Sequence, residues 1–152
     1  MPEAPWKPHV TVAAIGERNG KFLLIREEIK GKIVFNQPAG HLEENETLLD
    51  AVVRETFEET QYHFAPSGLQ GIYRSSPVEN PGITYIRFLF TGVFGEQSNG
   101  ELDQGIVSAL WLSYNEVKAC KSEHRSPLVM QCIDDYLNHS PCSLDVISQL
   151  YA

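Results

Sequence analysis

Short apolar runs, separated by polar or glycine-containing turns, occupy most of the chain and predict β-strands. The run at residues 9–15 (HVTVAAI) is β-branched and apolar, which is typical of a buried strand. An Asn-Gly pair at residues 19–20 predicts a tight hairpin after it. The predicted strands are His9–Ile15, Lys21–Arg26, Lys32–Phe35, Gly71–Ser76, Ile83–Phe94 and Ile106–Leu112.

Between about Thr47 and Thr60 the apolar residues recur at the spacing of an α-helix, which predicts one central helix. Thr47 and Asp50 have the spacing of a capping box, in which each side chain satisfies a free backbone N–H at the helix start. One side of this helix is apolar and is expected to pack on a core. Its members are Leu48, Leu49, Ala51, Val52, Val53 and Thr56.

Two shorter helices are predicted after the last strand. The first follows a second capping box, Ser113–Glu116, and the other begins at Ser126-Pro127 and runs to about Asn138. Strands on both sides of a central helix, with helices near the end, indicate an α/β fold with a mixed sheet between helical layers. The order and pairing of the strands do not follow from spacing alone.

Composition and charge narrow the classes of function. The 152 residues, with 42% hydrophobic and 21% charged, predict one globular domain spanning residues 1–152. A net charge of −8, spread along the chain, argues against nucleic acid or a membrane surface as a partner. The three cysteines form no CxxC pair, and no signal peptide or long apolar stretch is evident, so we expect a cytoplasmic protein with reduced thiols.

Three glutamates near the end of the central helix are the main chemical signal. Glu55, Glu58 and Glu59 fall within an arc of roughly 100° on a helix. Like charges at this spacing repel by about 0.2–0.5 kcal/mol per pair, and the C-terminal half of a helix is itself negative. The cluster is either a solvated acidic face or a cation site. Its hard oxygen ligands suit Mg²⁺, with Mn²⁺ as the second choice, whereas Zn²⁺ is disfavoured without a His/Cys cluster.

The residues around these glutamates form a longer pattern, at positions 40–62. It consists of a glycine, a glutamate six positions later, Arg-Glu eight positions further on, and then Glu-Glu. The pattern resembles the signature box of the Nudix hydrolases, and the matching residues are Gly40, Glu46, Arg54, Glu55, Glu58 and Glu59. The resemblance implies an α/β/α sandwich that hydrolyses phosphoanhydride bonds through attack of water on phosphorus.

The resemblance also implies roles for individual residues. Glu55, Glu58 and Glu59, with the backbone carbonyl of Gly40, match the metal ligands of the family. Arg54 and Glu46 match a pair that braces those ligands. The resemblance also implies that Arg54, Glu58 and Glu59 take part in catalysis. The general base stays open between a box glutamate and an acid of the loop that carries Glu101 and Asp103, because the family varies at this point.

Outside the box, the chain resembles the NudJ branch of the family, a group of bacterial phosphatases. The similar segments are residues 7–15, 36–43, 87–90 and 125–129. This resemblance implies release of phosphate from nucleoside tri- and diphosphates, and from thiamine-precursor or thiamine pyrophosphates. The alternatives are a Nudix pyrophosphohydrolase acting on ADP-ribose or nucleoside triphosphates, and a Nudix domain that binds a ligand without hydrolysing it. The oligomeric state is open.

Five residues are candidates for contacts to a small phosphorylated substrate. Four of them border the irregular turn before the central helix, where we expect ring stacking and amide contacts to a base or pyrimidine. The fifth is an arginine in an otherwise apolar strand, which is either at a phosphate or in a structural ion pair. These candidates are Phe35, Asn36, Gln37, His41 and Arg87.

Gln61 is the one departure from the box pattern, which has glycine at this position. Glycine lets a chain leave a helix in the left-handed conformation without steric cost. Glutamine either bears about 1 kcal/mol for that conformation or lets the helix continue. From the sequence we expect the left-handed ending, and therefore stabilisation by up to about 1 kcal/mol on Gln61→Gly.

Overall fold

The computed structural model describes residue 1 and residues 3–150. Along these residues the chain forms strands β1 to β8, helices α1 to α3 and two short 3₁₀ helices. The strands are β1 His9–Ile15, β2 Glu17–Arg18, β3 Lys21–Ile29, β4 Lys32–Asn36, β5 Ala39–His41, β6 Tyr62–Ser75, β7 Tyr85–Gln97 and β8 Ile106–Ser113. The helices are α1 Leu48–Thr60, α2 Tyr114–Ala119 and α3 Leu128–Asn138, with 3₁₀ helices at Lys121–Glu123 and Leu144–Val146.

The strands are divided between two sheets. One is mixed, in the order β5-β1-β7-β6, with β1 parallel to β7 and the other pairs antiparallel. In the second sheet β3 pairs antiparallel with β2, β4 and β8. The α/β fold with a mixed sheet that the sequence predicts is therefore confirmed. Within the described residues, no helix is long and apolar enough to cross a membrane.

Strand β1 is covered on both faces. Ala13 and Ile15 belong to an apolar cluster that also contains side chains of α2 and α3. Val12 and Ala14 belong to a second cluster, on the side of α1. Because alternate side chains of a strand point to opposite faces, this division explains the unbroken apolar run at the end of β1.

Strand β6 is much longer than the sequence predicts. The prediction began at Gly71, whereas the strand begins at Tyr62 and pairs with β7 along its whole length. Its first half contains Pro66 and Gly68, residues that usually mark turns. The pairing accommodates them through shifts of register, at Pro66/Gly68 and again at Leu69/Gly71. Such bulges depend on the partner strand and leave no simple pattern in one sequence.

Helix α1 agrees closely with the prediction at both ends. Thr47 caps it, and the capping box with Asp50 is complete. Gln61 follows the last turn with φ 61° and ψ 11°, so the left-handed ending expected from the sequence is confirmed. The predicted apolar side is wrong at Val53, which is 37% exposed, because the buried face of the helix is formed by Ala51, Val52, Thr56, Glu59 and Thr60. Of the predicted apolar residues, Ala51, Val52 and Thr56 are buried.

Candidate active site

Helix α1 and strand β5 meet at Gly40. A Cβ atom on Gly40 would lie 1.9 Å from Cδ of Glu55, much closer than two carbon atoms can approach. Glycine is therefore required at this position for the Glu55 carboxyl group to lie against the strand. Pairing of Gly40 with Val12 of β1 fixes the strand on its other side.

Arg54 lies at the centre of the box carboxylates. Its Nε and Nη2 donate to the two oxygens of Glu46, at 3.0 and 2.7 Å. Its Nη1 donates to Glu55 Oε1 at 2.8 Å and to Glu58 Oε2 at 3.2 Å. Nη2 also donates to the carbonyl oxygen of His41 at 3.0 Å, which links the helix to β5. One guanidinium group thus orients three box glutamates and the strand beside them.

Glu59 is the most buried of the box glutamates, at 7% exposure. Its Oε2 accepts a hydrogen bond from the backbone N–H of Ala39 at 3.0 Å. Burial raises the pKa of Glu59 to about 9, because a single amide donor does not replace the water that a carboxylate loses. A buried carboxylate with this little compensation is a poor structural element and a good cation ligand.

The electrostatics of the neighbouring residues depend on their contact with Arg54. Hydrogen bonds from Arg54 lower the pKa of Glu46, and hydrogen bonds to Glu46 and Glu55 raise the pKa of Arg54. Burial nevertheless raises the pKa of Glu55, and repulsion from Glu58 and Asp103 adds to it. The single guanidinium group therefore does not neutralise the carboxylates around it.

The donor set fits a hard divalent cation, although the carboxylates do not converge on one point. Among the described residues, no three acidic, imidazole or thiol side chains are grouped so that they would hold a metal ion. The contacts explain this, because Arg54 holds Glu55 and Glu58 while Ala39 holds Glu59. All the available donors are oxygens, and the Glu55 carboxyl group occupies the space that a side chain at position 40 would fill. This chemistry suits Mg²⁺ or Mn²⁺.

The loop after β7 is bound to the end of α1. The N–H of Asp103 donates to the carbonyl oxygen of Glu58 at 2.8 Å. Nε2 of Gln61 donates to the carbonyl oxygens of Phe57 and Glu101, both at 3.1 Å. A groove of about 360 Å³ runs between loop and helix, lined by Phe57, Glu58, Gln61, Glu101, Leu102, Asp103 and Gln104. The acids proposed from the sequence as alternative bases therefore lie beside the same groove as a box glutamate.

Three of the five substrate candidates make structural contacts. Gln37 is only 1% exposed, and its Nε2 donates to the carbonyl oxygen of Val129 at 2.8 Å. Asn36 is buried beside it. Phe35 is half-buried, and its carbonyl oxygen accepts a hydrogen bond from the N–H of Arg125 at 2.8 Å. Gln37 and Asn36 therefore present little side-chain surface to a ligand, whereas Phe35 keeps part of its side chain exposed.

His41 is exposed and belongs to a group of rings that the sequence did not reveal. Its ring centroid lies 5.7 Å from that of His9 and 6.2 Å from that of Tyr85, and the centroids of His9 and Tyr85 are 5.6 Å apart. Partial burial, and then the neighbouring His9, lower the pKa of His41. The three residues are far apart in the chain, and only the pairing of β5, β1 and β7 brings them together.

Arg87 is 8% exposed, and its partners among the described residues are neutral. Its guanidinium nitrogens lie 3.5 Å from Gln37 Oε1 and from Asn36 Oδ1. It also lies beside the Cys132 thiol, whose pKa burial raises, so this group stays neutral at pH 7. In the described part of the chain, no carboxylate oxygen lies within 4.0 Å of the Arg87 guanidinium nitrogens, the distance that defines an ion pair. The structural ion pair considered from the sequence is therefore not formed.

Comparisons with known proteins agree with this architecture. A family model described as the NUDIX domain matches residues 6–132. Phosphatase NudJ of Escherichia coli K12 is 39% identical over 145 residues, which cover 93% of this chain and 92% of that protein. A solved NUDIX hydrolase from Nitrosomonas europaea is 44% identical, with a TM-score of 0.91, and the match covers 95% of this chain and 98% of that one.

A more distant structure shares the fold alone. It is a bifunctional NMN adenylyltransferase/ADP ribose pyrophosphatase from Francisella tularensis, complexed with AMP and a Mn ion. It is 23% identical with a TM-score of 0.67, covering 90% of this chain and 43% of that one. The family model and the curated relative together show that this chain belongs to the Nudix hydrolases. It is accordingly a hydrolase acting on acid anhydrides in phosphorus-containing substrates, and it is homologous to NudJ phosphatases.

Proposed function

We propose that this protein is a Mg²⁺-dependent phosphatase of the NudJ type. Its substrates would be nucleoside tri- and diphosphates and thiamine-precursor or thiamine pyrophosphates, from which it releases phosphate. The observation that carries this proposal is the group of box carboxylates around Arg54, with Glu59 buried and compensated by one amide alone. The homology to phosphatase NudJ over 93% of the chain supports the release of phosphate.

Each box residue has a role in this proposal. Glu55, Glu58 and Glu59, together with the carbonyl oxygen of Gly40, would hold the cation. Arg54 orients Glu55 and Glu58 and is itself held by both oxygens of Glu46. When bound, a divalent cation supplies positive charge at the phosphate oxygens of the bond that breaks.

The reaction itself requires a base and a leaving group. A water molecule attacks the phosphorus atom, the phosphoanhydride P–O bond breaks, and the bridging oxygen leaves with its electron pair. The proton of the water passes to a carboxylate, for which Glu58, Glu101 and Asp103 are candidates because they line the same groove. A carboxylate suffices as base when nearby positive charge makes the water more acidic.

A panel of phosphorylated metabolites tests this function. The protein is assayed with Mg²⁺ against nucleoside tri- and diphosphates, thiamine pyrophosphate and ADP-ribose, with phosphate and pyrophosphate measured separately. We expect phosphate from the tri- and diphosphates. Pyrophosphate from triphosphates, or AMP from ADP-ribose, would instead support a pyrophosphohydrolase. Binding of these compounds without any product would support a non-hydrolytic domain. Glu58→Gln is the matched inactive control.

A further inference from the structure

The rings of His9, His41 and Tyr85, here called the ring group, lie on one face of the mixed sheet. His9 is opposite Tyr85 in the pairing of β1 with β7. His41 is opposite Thr11, two residues beyond His9 in β1 and on the same face. The two histidines are exposed and Tyr85 is half-exposed. Three neighbouring strands thus present aromatic edges and faces to the same region of solvent.

Arg87 lies on the same face, two residues beyond Tyr85 along β7. Burying a guanidinium group beside neutral amides is costly unless a further acceptor completes its hydrogen bonds. The amide of Gln37 is oriented for this arrangement, because its Nε2 donates to Val129 and its Oε1 therefore faces Arg87. Asp135 accepts hydrogen bonds from Tyr73 and Gln131, and among the described residues it forms no ion pair with Arg87.

The backbone of β5 connects the ring group to the box. The Cα of Gly40 faces Glu55 on one side of the sheet. The ring of the next residue, His41, lies on the other side. The carbonyl oxygen of His41 accepts a hydrogen bond from Arg54. Arg87 lies two strand spacings from β5, roughly 10 Å away. Because His41 faces away from Glu55 and β5 is the edge strand of the sheet, a ligand with its phosphates at the box would reach the ring group by passing over β5.

From this arrangement we infer that the ring group is a binding subsite for the planar nitrogen heterocycle of a phosphorylated substrate. The ring of the ligand packs against His9, His41 and Tyr85, and Arg87 donates a hydrogen bond to a carbonyl or ring-nitrogen acceptor on it. The substrate class is thus a compact phosphorylated molecule with one flat, acceptor-bearing heterocycle. The inference rests on the proposed function for the position of the phosphates.

A binding experiment tests the subsite without any turnover. CMP and ribose 5-phosphate share the sugar phosphate and differ in the base, and neither contains a phosphoanhydride bond. Each is titrated into the protein with Mg²⁺ while the five histidine ring resonances are followed by NMR. We expect CMP to shift the resonances of His9 and His41, assigned with His9→Gln and His41→Gln, and ribose 5-phosphate to leave them unchanged. Equal shifts with both ligands, or no shift of these two resonances with CMP, would overturn the subsite.

Tyr85 provides a matched pair of variants. Tyr85→Leu should weaken the Kd for CMP at least about tenfold, the lower part of the range for stacking on an aromatic side chain. Tyr85→Phe keeps the ring and should stay within about threefold of the wild-type Kd. The Kd for ribose 5-phosphate should be the same in all three proteins. Loss of affinity for both ligands in Tyr85→Leu would count against the inference.

The role of Arg87 has its own comparison. Benzyl phosphate has a flat ring without an acceptor, so it should bind more weakly than CMP to the wild-type protein. Arg87→Met, which removes the N–H donors and keeps a long side chain, should reduce that preference, and a preference left unchanged by the substitution would exclude the hydrogen bond to the heterocycle. These readouts are independent of hydrolysis. An active enzyme without the histidine shifts would lack the subsite, whereas shifts without hydrolysis would contradict the proposed function alone.

Discussion

Replacing Gln61 by glycine sets two local effects of opposite sign against each other. Glutamine occupies the left-handed conformation at φ 61°, which glycine adopts without strain, and this difference favours glycine by about 1 kcal/mol. The glutamine side chain, however, is 7% exposed and donates to the carbonyl oxygens of Phe57 and Glu101. At about 1 kcal/mol per hydrogen bond, glycine would lose about 2 kcal/mol.

The balance predicts that Gln61→Gly destabilises the protein by about 1 kcal/mol, and that its Tm falls by about 2–4 °C. This reverses the sign expected from the sequence, because the sequence shows the backbone strain but not the contact with Glu101. Urea denaturation with an unchanged m-value provides the measurement. Gln61→Ala separates the two effects, since alanine loses the hydrogen bonds and keeps the strain. We expect alanine to be less stable than glycine by about 1 kcal/mol.

Gly100 allows an independent check of the same contact. A Cβ atom on Gly100 would lie 2.3 Å from Oε1 of Gln61, so an alanine there must displace the amide and its two hydrogen bonds. Gly100→Ala should therefore destabilise the wild-type protein and have a smaller effect in the Gln61→Gly background. Additive effects in this double-mutant cycle, or a higher urea midpoint for Gln61→Gly, would refute the reasoning.

Three further predictions concern the box. Thorough chelation with EDTA should abolish hydrolysis and Mg²⁺ or Mn²⁺ should restore it, so full activity after chelation would contradict the proposed chemistry. Glu58→Gln and Glu59→Gln should each lower kcat by orders of magnitude. The metal-free Tm should hold or rise slightly, because the amide keeps the side-chain volume and removes repulsion between carboxylates. A variant with near wild-type kcat at saturating Mg²⁺ would exclude that residue as a ligand. Gly40→Ala should cost about 1 kcal/mol of stability, measured by urea denaturation, because its Cβ would displace the Glu55 carboxyl group and break the hydrogen bond from Arg54. Gly82→Ala, where a Cβ meets nothing within 4 Å, is its matched control, and equal midpoints for the two variants would contradict the overlap.

The sequence by itself determined the parts of this protein whose causes are local. The capping box of Thr47 and Asp50, the helical period of α1 and the Asn-Gly hairpin depend on residues a few positions apart. The box pattern likewise fixes the spacing of its glutamates on one helix. For this reason the helix, its left-handed ending and the acidic cluster could all be predicted from short-range patterns.

Only the tertiary structure decided the features that depend on distant partners. The first half of β6 is a strand because β7 pairs with it around bulges, although Pro66 and Gly68 alone favour a turn. The ring group exists because β1 lies between β5 and β7, an order that short-range patterns do not encode. Gln61 contacts a loop 40 residues further along the chain, so its side chain stabilises an ending that its backbone strains. Local propensity acts within a few residues, whereas these contacts form only when the two sheets are assembled.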